Sequence, residues 1–362
     1  QTYSGDIVKS RTGIQTNNAN YGVNANWVLF NGFRMFINRS RIAELLELGS
    51  LTAKSQVVNT ISDVIKTYYD IVRQKQQLKS IQEQLTLLAD QLKLAQYKFE
   101  LGTGIKPDVL QAQIDLNTQK AAQLNQQATI DQRKQALAIL MNVNQSINFE
   151  VSDSIPVQTD LILSDLLNNL GQTSYPILIA RRNIDLAHNN VALARTQYFP
   201  TVAFTAAYNF ARTNNSSVVN PTVQPLLSVN HGFNYGLTAS IPIFNGFAVH
   251  QQVKLAKVNV DYQQLLFDRQ NLIVTDSVLN VYRTYDAQRK ILGLTDSSIA
   301  WARENLTIAR ERYRLGVSTF IELRQAEQNL EQAQTTIITA RYNLKVAETE
   351  LLRLKGDLIR RQ

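Results

Sequence analysis

The sequence contains no cysteine, which excludes a disulfide scaffold and a cysteine-based zinc site. It has no apolar run of about 18 residues, so nothing in it reads as a transmembrane helix. Its seven prolines are scattered, and no Pro/Gly/Ser-rich stretch marks a linker in a chain of 362 residues, long enough for two ordinary domains. Chemical motifs are missing as well: there is no G-x-S-x-G, no phosphate loop and no H-E-x-x-H. His188, His231 and His250 fall in a helix, a loop and a helix start without metal-ligand spacing. The helical carboxylates Glu348 and Glu350 read as solvated rather than as an acid/base pair. These absences predict no catalytic residue, no metal and no cofactor. The net charge of +8 has no block of like sign and no basic-aromatic interleaving, which argues for solvated helix faces and against a nucleic-acid partner.

What is present is a pattern written twice. "KFELGTGIKPDVL" (98–110) and "ERYRLGVSTFIEL" (residues 311–323) align at a separation of 214 residues, Leu101 with Leu315 and Gly102 with Gly316. The same offset aligns "LFNGF" (29–33) with "IFNGF" (243–247), Tyr68 with Tyr282, Leu78 with Leu292 and Leu116 with Leu330. More than a hundred residues stay in register, which predicts a tandem structural duplication.

Within the first copy Val57, Val64, Ile71, Leu78, Leu85, Leu92 and Phe99 recur every seven residues, with Ile81, Leu88 and Ala95 on a complementary seam. The second copy has Val278, Tyr285, Leu292, Ile299, Leu306 and Tyr313. After each LG turn another seam follows: Val109, Leu116, Ile130 and Leu137, interrupted by Gln123, and then Leu323, Leu330, Ile337, Leu344 and Leu351. Such heptads predict long helices with narrow apolar seams, and a short turn makes each pair an antiparallel hairpin. A helix continuous from Arg34 to Phe99 would extend roughly 100 Å at about 1.5 Å per residue. Its other faces are rich in Gln, Asn, Thr and Ser, as suits helices that border water on several sides, for example around a wide aqueous conduit.

Between the helical stretches the period changes to two. "YGVNANWVL" (21–29) sets Tyr21, Val23, Ala25, Trp27 and Leu29 against Gly22, Asn24, Asn26 and Val28. "TVAFTAAYNFA" (201–211) sets Val202, Phe204, Ala206, Tyr208 and Phe210 against small polar residues, and "FNYGLTASIPI" (233–243) does the same with Phe233, Tyr235, Leu237, Ala239 and Ile241. These are strands. A soluble sheet would bury the apolar side, but aromatics near the strand ends, uncharged polar sides and lengths near the 9–11 residues of a tilted crossing favour membrane strands. Tyr21, Trp27, Phe204, Tyr208, Phe233 and Tyr235 would then face lipid. Long Asn/Thr/Ser-rich loops are predicted over 5–20 and 211–232. In each FNGF exit, Phe30, Asn31 and Gly32 or Phe244, Asn245 and Gly246 form a strand-to-helix hinge, with Gly for backbone freedom and Asn as helix cap.

Strands, an FNGF exit, a long heptad helix, an LG turn and a returning helix, all doubled, resemble the TolC-like outer-membrane efflux protein family over essentially the whole chain. The stretch "YPILIARRNIDLAHNNVALARTQYFPTVAFTAAYNF" (175–210) is similar to the family's short helix and Pro-led strand. The resemblance implies an α+β membrane protein: long antiparallel coiled-coil hairpins forming an α-barrel, with transmembrane strands contributing to a 12-stranded β-barrel in a homotrimer. It implies the outer membrane of a Gram-negative bacterium as location, with the helices in the periplasm. The function implied is the exit duct of a tripartite efflux pump. Its partners would be outer-membrane lipid, a periplasmic adaptor (membrane fusion) protein and an inner-membrane RND, ABC or MFS transporter. A type I protein-secretion duct is the alternative within that class, and a periplasmic coiled-coil structural or adaptor protein the alternative outside it.

The adaptor would dock on the hairpin tips, Leu101, Gly102, Thr103 and Gly104 with Leu315, Gly316, Val317 and Ser318, and a ring of carboxylates at the aperture would come from Asp108 and Glu322. Ser318 and Gln325 occupy positions where gated relatives carry an Arg and an acid, so an ion-pair latch would be absent or differently built. The predicted organisation is a first repeat over 1–142, with a strand near 21–30 and a hairpin near 34–142; a connector over 143–160; and a second repeat over 161–362, with a short helix, strands near 200–211 and 233–243 and a hairpin near 248–356. By the offset, about 55 residues of helix and strand are expected ahead of the first residue.

Overall fold

The computed structural model describes residues 15–143, 149–216 and 225–359. In chain order the elements are β1 (Thr16–Asn31), α1 (Arg34–Glu100), α2 (Lys106–Leu140), three shorter helices α3 (Leu163–Leu167), α4 (Leu170–Thr173) and α5 (Tyr175–Arg195), then β2 (Thr201–Asn215), β3 (Leu227–Ser240), α6 (Ala248–Arg314) and α7 (Phe320–Lys355). The chain divides into two units, one of residues 1–46 and 183–264, the other of residues 47–182 and 265–362.

The offset seen in the sequence recurs in the backbone. Both α1 and α6 are 67 residues long, and Arg34 to Ala248 and Lys106 to Phe320 are separations of 214 residues. Left-handed residues recur at the same spacing: Gly32 and Gly246 (φ +67° and +63°), Phe33 and Phe247 (+65° and +62°), Gly102 and Gly316 (+73° and +77°), Asn142 and Gly356 (+53° and +82°). Among the described residues Asn169 alone has a positive φ without a counterpart at that spacing.

The first unit holds one antiparallel sheet in the order β1-β2-β3. Its elements are longer or shifted relative to expectation. β1 begins at Thr16, so residues 16–20, expected in a loop, are strand paired with the far end of β2. Likewise β2 runs to Asn215 and β3 starts at Leu227, taking both ends of the loop expected over 211–232; this places His231 in a strand rather than a loop. Asn favours loops over strands, but pairing of 16–20 with 211–215 and of 227–230 with 211–214 draws these positions into the ladder. The expected strand residues 241–243 lie outside β3, where Pro242 has no N–H to donate. At the corresponding place in β1, the register with β2 shifts between Val28 and Phe30. Parts of the predicted loops, 5–14 and 217–224, and connector residues 144–148 lie outside the described residues. At the helix side of the sheet Ala194, Val249 and Val253 form a small core.

The second unit is helical, and its buried side chains form several clusters. One joins Leu166, Leu170 and Ile177 to Val274, Val278 and Tyr285 of α6 and to Leu344, Leu351 and Leu354 of α7. Another joins Ile71 and Val72 of α1, Leu137 of α2 and Val151 and Ile155 of the connector. All five heptad residues of α7, Leu323, Leu330, Ile337, Leu344 and Leu351, are buried, each worth about 1.5–3 kcal/mol of transfer free energy. The seam of α1 differs from the expected one. Val57 and Phe99 are exposed, and the continuous buried row is Ile81, Gln84, Leu88, Gln91 and Ala95, which keeps heptad spacing by admitting two glutamines.

The connector is fastened by aromatic hydroxyls from both halves. Tyr68 accepts the Ser152 N–H at 2.9 Å, and Tyr285, nearly fully buried, donates to the Gln158 carbonyl at 2.7 Å. Glu348 accepts the Gln158 N–H at 3.0 Å and pairs with Lys345 at 2.8 Å; Glu350 pairs with Lys66 at 2.7 Å and with Arg353. Neither carboxylate is the solvated surface group that the sequence suggested, because the connector and α1 pack over this face of α7.

Candidate functional site

The first locus is the sheet. Its register places Tyr21, Val23, Ala25 and Trp27 opposite Phe210, Tyr208, Ala206 and Phe204, and these opposite His231, Phe233, Tyr235 and Leu237. Residues directly opposite in antiparallel strands share a face, so all six aromatics predicted to face lipid lie on one side. The other side carries Gly22, Asn24, Asn26, Thr205, Ala207, Asn209, Asn234, Gly236 and Thr238. No described residue covers the apolar side: Trp27 is 68% exposed, Tyr235 74% and Leu237 70%. Cross-strand pairs such as Tyr21–Phe210, with ring centroids 6.0 Å apart, pack along it. The three strands contain no Asp, Glu or Lys, and their only arginine is Arg212, beyond Phe210.

Where strand meets helix, Asn31 is the last residue of β1, and Gly32 and Phe33 take the left-handed conformation before α1. A Cβ at Gly32 would lie 2.6 Å from the Thr196 carbonyl oxygen, so glycine there answers a close approach as well as a positive φ. The expected asparagine cap is not what starts these helices. Phe33 and Phe247 carbonyls accept the first helical N–H groups, from Ile37 and Gln251, and Asn245 contributes only its backbone carbonyl, to Ala248.

The second locus is the pair of hairpin tips. Each long helix ends in a Schellman motif. Gly102 N–H donates to Phe99 and Thr103 N–H to Lys98; Gly316 N–H donates to Tyr313 and Val317 N–H to Arg312. The returning helices start differently. Thr319 caps α7 by accepting the Glu322 N–H, whereas α2 has Ile105 at the cap position without a side-chain cap, and Pro107 in its first turn. Asp108 and Glu322 thus both sit in first helical turns, where a negative charge is favoured by the helix dipole. Both tips expose aliphatic side chains: Leu101, Ile105, Leu315, Val317 and Ile321 are each more than half exposed. The Ser318 hydroxyl is buried without a hydrogen-bond partner.

Behind the tips lies a polar layer that sequence reasoning missed. Tyr313, Phe320, Leu323, Ala326 and Leu330 pack with Ala112 of α2, joining the two hairpins. Lys98 donates to the Tyr313 carbonyl and lies over its ring at 4.0 Å. Arg310 pairs with Asp90 at 3.0 Å and Arg324 with Asp115 at 3.1 Å, each bridging one hairpin to the other. Glu327 is 4% exposed, and one of its carboxylate oxygens has no hydrogen-bond partner. Burial pushes its carboxyl up to about 7, with Arg310 and Arg324 opposing and Asp115 reinforcing the shift. Burial also raises the Tyr313 hydroxyl, and the charge of Asp108 adds to this. The only advance signal for Glu327 was its place between Ala326 and Leu330 on the buried side of α7.

Among the described residues no helix is long and apolar enough to cross a membrane, and no group of three or more acidic or His side chains could hold a metal.

Comparison with known proteins gives a consistent family. The family model described as "Outer membrane efflux protein" matches residues 2–143 and 166–357. The outer membrane protein TolC of Escherichia coli is 24% identical over 214 residues, 58% of this chain and 42% of its own length. A probable efflux pump outer membrane protein, TtgC of Pseudomonas putida, is 21% identical over 264 residues, covering 71% and 52%. The chain therefore spans about half the length of these curated relatives. Among solved structures, VceC of Vibrio cholerae superposes with a TM-score of 0.76 at 16% identity, covering 95% of this chain and 87% of that one. The outer-membrane channel OprN gives 0.76 at 18%, covering 95% and 81%. At such identities the agreement concerns the fold.

Proposed function

The chain belongs to the outer membrane efflux protein family, and from that premise we propose that it forms the exit duct of a tripartite efflux pump in the outer membrane of a Gram-negative bacterium. The observation that carries this reading is the sheet: three strands free of Asp, Glu and Lys, with every large aromatic on one uncovered side and amides and small residues on the other. Water satisfies the second side and hydrocarbon the first, as for strands between lipid and an aqueous lumen. The description of the matching family and the name of TtgC, a probable efflux pump outer membrane protein, favour efflux over protein secretion.

Three strands leave two unpaired edges, which a lipid core does not tolerate, so closure requires strands beyond these three. Neighbouring copies in a homotrimer sharing one barrel pair with both edges; three copies of this sheet give nine strands, so a twelve-stranded barrel takes one further strand per copy. The helices also carry unmatched apolar positions: Leu294, Trp301 and Ile308 recur every seven residues on an exposed face of α6, and Leu110, Ile114 and Leu124 are exposed on α2. Neighbouring copies cover these stripes in a ring of helices. At the tips, Leu101, Ile105, Leu315, Val317 and Ile321 offer an apolar surface to a periplasmic adaptor, and Asp108 and Glu322 line the aperture. An RND, ABC or MFS transporter loads the duct, and the duct itself performs no chemistry.

Reconstitution into planar bilayers tests this. The protein should insert from detergent as a trimer and give stepwise, ohmic conductance. A monodisperse monomer in plain buffer that leaves bilayers silent is incompatible with the proposal. A deletion strain assayed for drug sensitivity and for secreted proteins separates efflux, which should fail, from secretion, which should persist.

A further inference from the structure

The helix ends adjoining the sheet carry a charge pattern that conduction and tip docking do not use. β1 leads into α1, α5 leads through Thr196–Tyr198 into β2, and β3 leads into α6. Over residues 34–43, 186–198 and 248–257 these ends contain Arg34, Arg39, Arg41, Arg195, Lys254 and Lys257 and no carboxylate; Glu44, Asp185 and Asp261 come only farther along each helix. None of the six cations has an ion-pair partner among the described residues. The second unit mixes paired cations, such as Lys66, Arg73 and Arg310, with others that have no ion-pair partner among the described residues, such as Lys79, Lys93 and Lys120, so what sets the helix ends apart is that no carboxylate is interspersed among their cations. At the same helix ends stand exposed aromatic rings, Phe33, Phe36, Phe199, Phe244 and Phe247. Arg34 opens onto a cleft of about 360 Å³ lined by Asn190, Leu193, Gln197, Gln252 and Leu255. The three amides have no side-chain hydrogen-bond partner among the described residues.

We propose that these helix ends form a collar that binds the phosphate headgroups of anionic phospholipids, with the Arg34 cleft holding one such lipid individually. The inference rests on the channel reading, which puts the sheet in the bilayer, and adds the ligand at its helical border. Exposed aromatics at the ends of barrel strands form girdles at the edge of the hydrocarbon band, where it meets the headgroups. Arg34 directly follows Phe33, and the other five cations stand about one to three turns farther along their helices, at headgroup level. There they meet the negative surface of an anionic leaflet, and a guanidinium fork suits a phosphate. In the cleft, Arg34 and the amides of Gln197, Gln252 and Asn190 supply donors for the phosphate, while Leu193 and Leu255 line the wall where the glycerol backbone and first methylenes lie. A free phosphate has no use for that apolar wall or for the aromatic collar. This favours a lipid over a soluble anion.

Native mass spectrometry of the detergent-purified protein, incubated with phosphatidylglycerol, cardiolipin or phosphatidylcholine, tests the proposal. The anionic lipids should remain bound and phosphatidylcholine should not. Millimolar inorganic phosphate should fail to displace them. Arg34→Gln should lower bound phosphatidylglycerol about fivefold, Arg34→Lys less, and the double change Lys254→Gln with Lys257→Gln should lower it by a comparable factor. Circular dichroism should report unchanged helix content in each. Equal retention of phosphatidylcholine, displacement by phosphate, or wild-type retention in both glutamine variants overturns the proposal. If the protein conducts in bilayers but shows no preference among lipids, only the collar is wrong; if it neither inserts nor conducts, the channel reading falls with it.

Discussion

A Cβ placed on Gly356 would lie 2.3 Å from the carbonyl oxygen of Thr173, whereas Asn142, 214 residues earlier, holds the same left-handed helix terminus with a side chain attached. The two ends share one hydrogen-bond pattern: Gly356 N–H donates to Arg353 and Asp357 N–H to Leu352, and Asn142 N–H donates to Ile139 and Val143 N–H to Ala138. What differs is the neighbour. Gly356 abuts the segment leading into α5, so glycine is required there for space as well as for φ.

Substitutions should separate these two requirements. Gly316→Ala, at a terminus with nothing within 4 Å, should cost about 1–2 kcal/mol for the left-handed conformation alone. Gly356→Ala should add an overpacking cost of about 1–3 kcal/mol. Thermal melts in detergent compare them; equal losses would show that the Thr173 contact relaxes freely.

Glu327 makes stability depend on pH in a definite direction. Its carboxyl is raised from the ordinary 4.5 to about 7, so between those values the unfolded chain has released the proton and the folded chain still holds it. Stability should therefore be greatest below the lower value, fall as pH rises through this window, and level off above it. The span corresponds to about 3 kcal/mol. Glu327→Gln should flatten this dependence and be more stable than wild type at pH 8, with little difference at pH 4.5. Parallel melting curves for the two proteins across the range would show that the carboxyl titrates normally.

Tyr285 should act through its hydroxyl. Tyr285→Phe keeps the ring in the buried cluster and removes the bond to the Gln158 carbonyl, costing about 1 kcal/mol. Hydrogen exchange at residues 157–161 should quicken while α6 stays protected. Loss of protection throughout α6 would mean that the connector and the helix open together.

On the sheet, the two sides should respond oppositely to charge. Val23→Arg puts a cation on the apolar side and should block bilayer insertion, at about 2–4 kcal/mol near the midplane. Asn24→Arg, one residue on, should insert and alter conductance. Insertion is read by flotation with liposomes; equal behaviour of the two variants would contradict the assignment of sides.

The parts of this fold that repeat, or that alternate strictly, were visible in the sequence. The LG turns carried their own explanation, since Gly102 and Gly316 both need a positive φ, and the period-two stretches assigned each aromatic to its side because register in a ladder preserves parity. Strand ends were not legible, since the Asn and Ser of 16–20 and 227–230 read as loop and are strand only because they pair with β2. Nor was the seam of α1, because a search for apolar positions passes over Gln84 and Gln91, which are buried by neighbouring helices rather than by their own polarity. The tips could be placed from sequence, but the layer behind them could not. Glu327 lies across its own hairpin turn from Arg310 but far along the chain from Asp115, and only the packing of two hairpins makes it a buried carboxylate.

Because the chain has no cysteine, single cysteines introduced along β3 give the most direct measurement of the central claim. Nitroxide labels at Tyr235 and Leu237 and at Asn234 and Thr238, in protein reconstituted into liposomes, should alternate. The first pair should relax with oxygen dissolved in the bilayer and resist a water-soluble nickel chelate; the second pair should show the reverse. Labels at 235 and 237 that are shielded from both agents, or that meet the chelate as freely as their neighbours, would place protein or water where this account places lipid.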